Sequence, residues 1–152
     1  MRVYVASDHG GFKLKEELKK HLQERGDEVV DVGNTKLDPN DDYPDFILSL
    51  AEKVALRQAQ GKPAFGIVLG RSGNGEQIAA NKVSGVRAAF CISPEMARKA
   101  REDNNANVLA LGADFIDEKT AKKVVDAFLE TPFSEAARHK RRLDKISSYE
   151  AA

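Results

Sequence analysis

Cysteine occurs once in this chain, at Cys91, so no internal disulfide can form and no cluster of thiolates can hold a metal. An excess of charge of either sign is lacking as well: Lys plus Arg number 24, Asp plus Glu number 24, and the formal net charge is +0. General nucleic-acid binding and attraction to an anionic membrane both call for a basic excess, so neither partner is expected. No apolar run approaches the ~18 residues that a membrane-spanning helix needs. The opening residues, MRVYVASDHGG, lack the apolar segment and cleavage pattern of a signal peptide, which makes the cytoplasm the expected location. Repeats and low-complexity segments are missing too. What is present suits one compact domain: 152 residues, 41% hydrophobic and 32% charged.

Short apolar runs alternate with stretches of helical period. Arg2–Ala6, Val29–Val32, Phe65–Leu69, Val86–Ile92 and Val108–Leu111 read as strands. Leu14, Leu18 and Leu22 form one helical stripe, and Phe46–Ala59 forms a second amphipathic stretch. Further helices are expected from about Glu76, over Pro94–Glu102, over Glu118–Leu129, and at about 134–148 with Ser134 as its N-cap and Glu135 in its first turn. Strand–helix alternation of this kind predicts a single α/β domain spanning 1–152, a doubly wound (Rossmann-like) fold with a five-stranded parallel sheet and helices on both faces. Ligands in such folds sit beyond the C-terminal ends of the strands, which selects the loops starting at Ser7, Gly33, Gly70, Ser93 and Gly112.

The loop Gly70–Arg71–Ser72–Gly73–Asn74–Gly75–Glu76 joins a buried strand to a helix. Three glycines exceed what a plain connection needs, and free amides in such a loop favour negative charge. Ser72 adds a hydroxyl donor. The segment is neither a P-loop nor a dinucleotide fingerprint, which should follow the first strand. Two readings of Glu76 stand. An acidic residue in a first helical turn favours the helix dipole. A carboxylate beside an anion site is also a general base placed where negative charge develops, suited to removing a proton alpha to a carbonyl. Asp8 and His9 leave the end of the first strand; they are sugar ligands in one reading, an N-cap and a solvated histidine in the other. Tyr43, before a helix, is either a stacking platform for a sugar or a loop anchor. Arg138 and Arg142 share a helix face within Arg138–His139–Lys140–Arg141–Arg142, which suits a phosphate clamp or, equally, a solvated surface.

Five segments together carry a resemblance: Ser7–Asp8–His9–Gly10–Gly11, Asp42–Tyr43–Pro44, GRSGNGEQIAANK (Gly70–Lys82), Asn104–Asn105–Ala106–Asn107–Val108, and the basic run from Arg138 to Arg142. Over nearly its whole length the chain resembles the type B ribose-5-phosphate isomerases, a family that also includes galactose-6-phosphate isomerase subunits. The resemblance implies an aldose–ketose isomerase that forms at least a homodimer, shares its sites across the interface, and needs no metal or cofactor. It implies Glu76 as the base, in a branch distinct from one that has cysteine at the position of Gly70. Ser72 and the amides of Gly70, Arg71, Gly73, Asn74 and Gly75 would then face the enediolate; Asp8, Tyr43 and Asn104 the sugar; His9, Arg138 and Arg142 the phosphate. Three positions depart from the family pattern. Asp103 stands where a ring-opening histidine is usual, Asp114 where a phosphate-binding arginine is usual, and Arg71 where glycine is usual. Two outcomes are open: either ring opening passes to Asp103 and Arg71 supplies the displaced charge, or the natural substrate is an aldose phosphate or free sugar other than ribose 5-phosphate; a phosphosugar-binding protein without catalysis is the alternative from another class.

Overall fold

Side-chain alternation along each strand sets the layering. A computed structural model describes residues 1–152. The chain runs β1 (Arg2–Ser7), α1 (Phe12–Glu24), β2 (Glu28–Gly33), α2 (Tyr43–Ala59), β3 (Phe65–Gly70), α3 (Asn74–Ala80), β4 (Ala88–Phe90), α4 (Pro94–Asn104), β5 (Val108–Gly112), α5 (Glu118–Glu130) and α6 (Ala137–Ala151). All strand pairs are parallel, in the order β2-β1-β3-β5-β4. Val3, Val5, Ile67, Leu69, Leu109 and Leu111 point to one face and pack under α1, α4 and α5. Tyr4, Ala6, Val68, Val108 and Ala110 point to the other and pack under α2 and α3. The sequence-based expectation of a doubly wound parallel sheet holds, as period-2 burial on both faces demands.

Crossover helices start at the C-terminal edge of the sheet and return to its N-terminal edge. Two helices begin with built caps: Ser93 accepts from the Met96 amide at α4 and Asp117 from the Thr120 amide at α5. The central strands β1 and β3 lie side by side while their crossovers go to opposite faces, so the loops after Ser7 and Gly70 face one crevice.

Three boundaries differ from the sequence reading. Strand β4 is confined to Ala88–Phe90, because the Arg87 amide is taken by the Asn107 side-chain oxygen at 2.7 Å instead of a strand carbonyl. Helix α3 begins at Asn74, which puts Glu76 inside its first turn. The last helix starts at Ala137, and Ser134 does not cap it. The Ser134 amide is held by the Glu102 carbonyl, and its hydroxyl bonds the His139 ring at 2.9 Å and accepts from the Ala136 amide. Glu135 takes a positive φ of 61° in that turn instead of joining the helix. Helix α6 lies against the end of α4, buries His139 alone, and is tied at its far end where Glu150 accepts from the Gly85 amide.

Candidate active site

Glu76 stands at the centre of the crevice. Strand β3 delivers the chain to Gly70, and the turn through Gly73 (φ +83°) starts α3, whose first turn carries the glutamate back over the strand end. Glu76 is only 4% exposed. Its carboxylate occupies the space above Gly70, so that a Cβ at Gly70 would collide with it. A side chain at position 70 and this carboxylate exclude each other. Burial pushes the Glu76 carboxyl above the ordinary range, the negative charge of Asp8 adds to the rise, and the amides of Glu76 and Gly73 oppose it. The N-terminal end of α3 works in the same direction as those amides, and burial outweighs them.

Around this carboxylate the loop offers donors. The amides of Arg71, Ser72 and Gly73 bond to no backbone carbonyl. Ser72 Oγ accepts from the Asn74 amide at 3.2 Å, and its proton remains free for a ligand. Ala113 and Asp114 donate their amides to the carbonyls of Gly70 and Arg71 at 2.8 and 2.9 Å, which pins the loop to the end of β5. Tyr43, at the start of α2, lays its ring on Gly75, where a Cβ would come within 2.6 Å of Cζ. The half-buried Tyr43 ring thus packs on the glycine loop, at the wall of the crevice.

Asp8 and His9 occupy the neighbouring strand end. Asp8 Oδ1 accepts from the Gly10 amide at 3.0 Å. His9 Nδ1 lies 2.7 Å from Asp41 Oδ1, which also accepts the His9 amide at 3.0 Å. The Asp41 hydrogen bond raises the His9 pKa, burial opposes this, Asp8 adds to the rise, and Arg71 works against it. Arg71 lies over Gly10, with its exposed head on the rim beside His9. Asp114 is exposed on the same rim and makes no ion pair. Asp8, His9 and Asp41 are the one group whose donor atoms approach closely enough to share a cation, within 4.8 Å of one another. The His9 and Asp41 atoms concerned are already bonded to each other, so the geometry is that of a hydrogen-bonded pair.

The remaining expected residues are elsewhere. Helix α4 returns to the N-terminal edge of the sheet, so Asp103 and Asn104 lie a strand length from Glu76, roughly 17 Å for five residues. Asp103 Oδ1 is 3.7 Å from His139 Nε2, and its side chain is 42% exposed. Within the asparagine-rich stretch, Asn105 ends α4 in the left-handed conformation, and Asn107 is buried in bonds to Gln58, Gly85 and Arg87. The Asn104 side chain is left exposed. Arg138 and Arg142 project from α6 with no ion pair. One chain therefore carries two separate groups: a buried carboxylate with its amide loop, and an exposed group of Asp103, Asn104, Arg138 and Arg142. Sequence reasoning missed Asp41 and, beneath it, Lys15. The signal for Lys15 was a cation on the apolar stripe of Leu18 and Leu22.

Known proteins match this arrangement over nearly the whole chain. The profile of the Ribose/Galactose Isomerase family covers residues 3–146. Ribose-5-phosphate isomerase B of Mycolicibacterium paratuberculosis is 47% identical over 150 residues, spanning 99% of this chain and 92% of that one. Ribose-5-phosphate isomerase B of Escherichia coli is 40% identical over 149 residues, spanning 98% and 96%. The crystal structure of ribose-5-phosphate isomerase B from Mycoplasma genitalium with bound ribulose-5-phosphate superposes with a TM-score of 0.92 at 42% identity, covering 99% of this chain and 96% of that one. The Clostridium thermocellum enzyme of the same description gives 0.91 at 42%, covering 99% and 98%. The chain belongs to the ribose/galactose isomerase family.

Proposed function

We propose that the protein interconverts ribose 5-phosphate and ribulose 5-phosphate, with Glu76 carrying the proton between C2 and C1 through a cis-enediol. One observation carries the assignment: the buried Glu76 carboxylate sits over Gly70, beside a loop whose Arg71, Ser72 and Gly73 amides bond to no backbone carbonyl. Ionised Glu76 removes the C2 proton of the open-chain aldose, the carbonyl oxygen takes up negative charge, and the amides and Ser72 stabilise it. Glu76, now protonated, returns the proton to C1, and the C2 hydroxyl proton passes to the former aldehyde oxygen. Burial makes the carboxylate a stronger base than an exposed one, and the proton it takes from C2 is the one it returns to C1. Asp8 and Tyr43 line the sugar, and His9 and Arg71 offer positive charge for the phosphate.

The exposed group completes this reading when it comes from another copy of the chain. Asp103 and Asn104 would then meet the sugar end that opens, with Asp103 passing the proton to the ring oxygen, and Arg138 and Arg142 would clamp the phosphate with paired guanidinium groups. A homodimer is the smallest assembly that supplies both halves. A phosphorylated substrate fits a cytoplasmic setting, and no helix is long and apolar enough to cross a membrane.

Replacing Glu76 with Gln keeps the side-chain volume and removes the base. We expect turnover in both directions to fall by about 10²–10⁴-fold. A loss of less than about tenfold would rule Glu76 out as the positioned base.

A further inference from the structure

Lys15 is the one charged side chain in the protein with no exposure at all. It rises from α1 under the loop that follows β2. Its Nζ donates to Asp31 Oδ1 and Oδ2 at 2.8 and 3.0 Å and to the Asn34 carbonyl at 2.5 Å. Asn34 is further held by its amide to the Ser7 carbonyl at 2.8 Å. Asn34 Nδ2 then donates to Asp41 Oδ2 at 3.2 Å, while the other carboxylate oxygen receives both the His9 amide and its ring. The Asp41 side chain is 5% exposed, whereas His9 is 30% exposed with Nε2 unbonded. A continuous chain of bonds thus runs from a buried ammonium to a histidine at the mouth of the site.

We propose that Asp41 is a positioning residue for the reaction: it holds the His9 ring by Nδ1 so that Nε2 is presented to the substrate phosphate, and Lys15 with Asn34 fixes Asp41 in turn. The proposal rests on the reading of the mouth as the phosphate end. A ring so held has one orientation and one tautomer when neutral, which a free histidine does not. The charged groups facing His9 are Asp41 from the β2–α2 loop, Asp8 from the end of β1 and Arg71 from the β3–α3 loop. Direct contact with the Asp41 carboxylate favours the imidazolium, which bonds phosphate with charge on both partners. Burial would raise the Asp41 pKa, but the side chain and amide of His9, and Asn34, bring it below the usual range, so it remains the acceptor at neutral pH.

Asp41→Asn keeps the shape and removes the charge. The chain has only three histidines, so each imidazole can be followed by NMR in the substrate-free protein. The His9 titration is expected to fall by about one pH unit, a tenfold change in its proton affinity, while His21 and His139 do not move. In the kinetics, KM for ribose 5-phosphate is expected to rise about threefold midway between the lowered and the parental His9 transitions and to converge with the parent below both, with kcat within about twofold. An unshifted His9 overturns the pairing. A shifted His9 with unchanged KM, or a KM raised equally at every pH, overturns its use in phosphate binding while leaving the Glu76 assignment standing. Loss of activity on chelation, restored by a divalent cation, would assign the Asp8–His9–Asp41 group to a metal and overturn the proposal as well.

Discussion

Glu76 has two demands on it, burial and a clear approach to substrate, and both are met by leaving position 70 without a side chain. A methyl group there must displace the carboxylate. Gly70→Ala is therefore expected to lose about 10²-fold or more in kcat, close to the effect of Glu76→Gln, while thermal melting shows it still folded. Retention of full activity would mean that Glu76 works from another position. The raised pKa of Glu76 has a stability consequence of definite sign. The unfolded chain ionises this carboxyl near the ordinary value of about 4.3, below the pH at which the folded protein does, so the charge is a burden on the fold above that range. Glu76→Gln is expected to melt higher than the parent at pH 7, with the difference closing below about pH 4. The same shift places the acidic limb of the kcat/KM profile above the usual carboxylate range, and that limb disappears in the variant.

Among the elements, α1 and the β2–α2 loop are joined by the Lys15–Asp31 pair, with Lys19 donating to the same carboxylate at 2.8 Å. Lys15→Met leaves Asp31 one cation but strips the Asn34 carbonyl of its donor. A destabilisation of about 3 kcal/mol is expected in denaturant unfolding, at the lower end for a broken buried pair because Lys19 remains. A loss under about 0.5 kcal/mol would show that the pair does not hold the loop. The alternating strands and helices were legible in the sequence, because two-sided burial writes itself as apolar runs and four-residue stripes. The start of α6 was not. Ser134 looks like an N-cap locally, but its hydroxyl is used by His139 and its amide by α4, and only tertiary contacts reveal that. In the site, the glycine loop with Glu76 could be read because its residues are neighbours. The bond between His9 and Asp41 spans 32 positions and leaves no local pattern. Asn104 could be named from the resemblance, but its distance from Glu76 follows from where α4 ends and could not be seen without the topology.

At the scale of the molecule, Glu76 and the Arg138–Arg142 pair lie at opposite edges of one sheet, so the proposed base and the proposed clamp cannot meet within one chain. No movement of a side chain joins them, since the sheet between is the core itself. The account therefore stands on two copies facing each other, each lending Asp103, Asn104, Arg138 and Arg142 to its neighbour's Glu76. Mixing two inactive proteins tests this most directly. One carries Glu76→Gln and the other Arg138→Ala with Arg142→Ala, and both are assayed with ribose 5-phosphate well below the parental KM. A mixed dimer holds one site with every group intact and one with all of them lost. After subunit exchange at equal amounts, random pairing makes half the dimers mixed, so about a quarter of the parental activity is expected to return. No recovery, with mixed dimers confirmed by mass, would contradict the shared site.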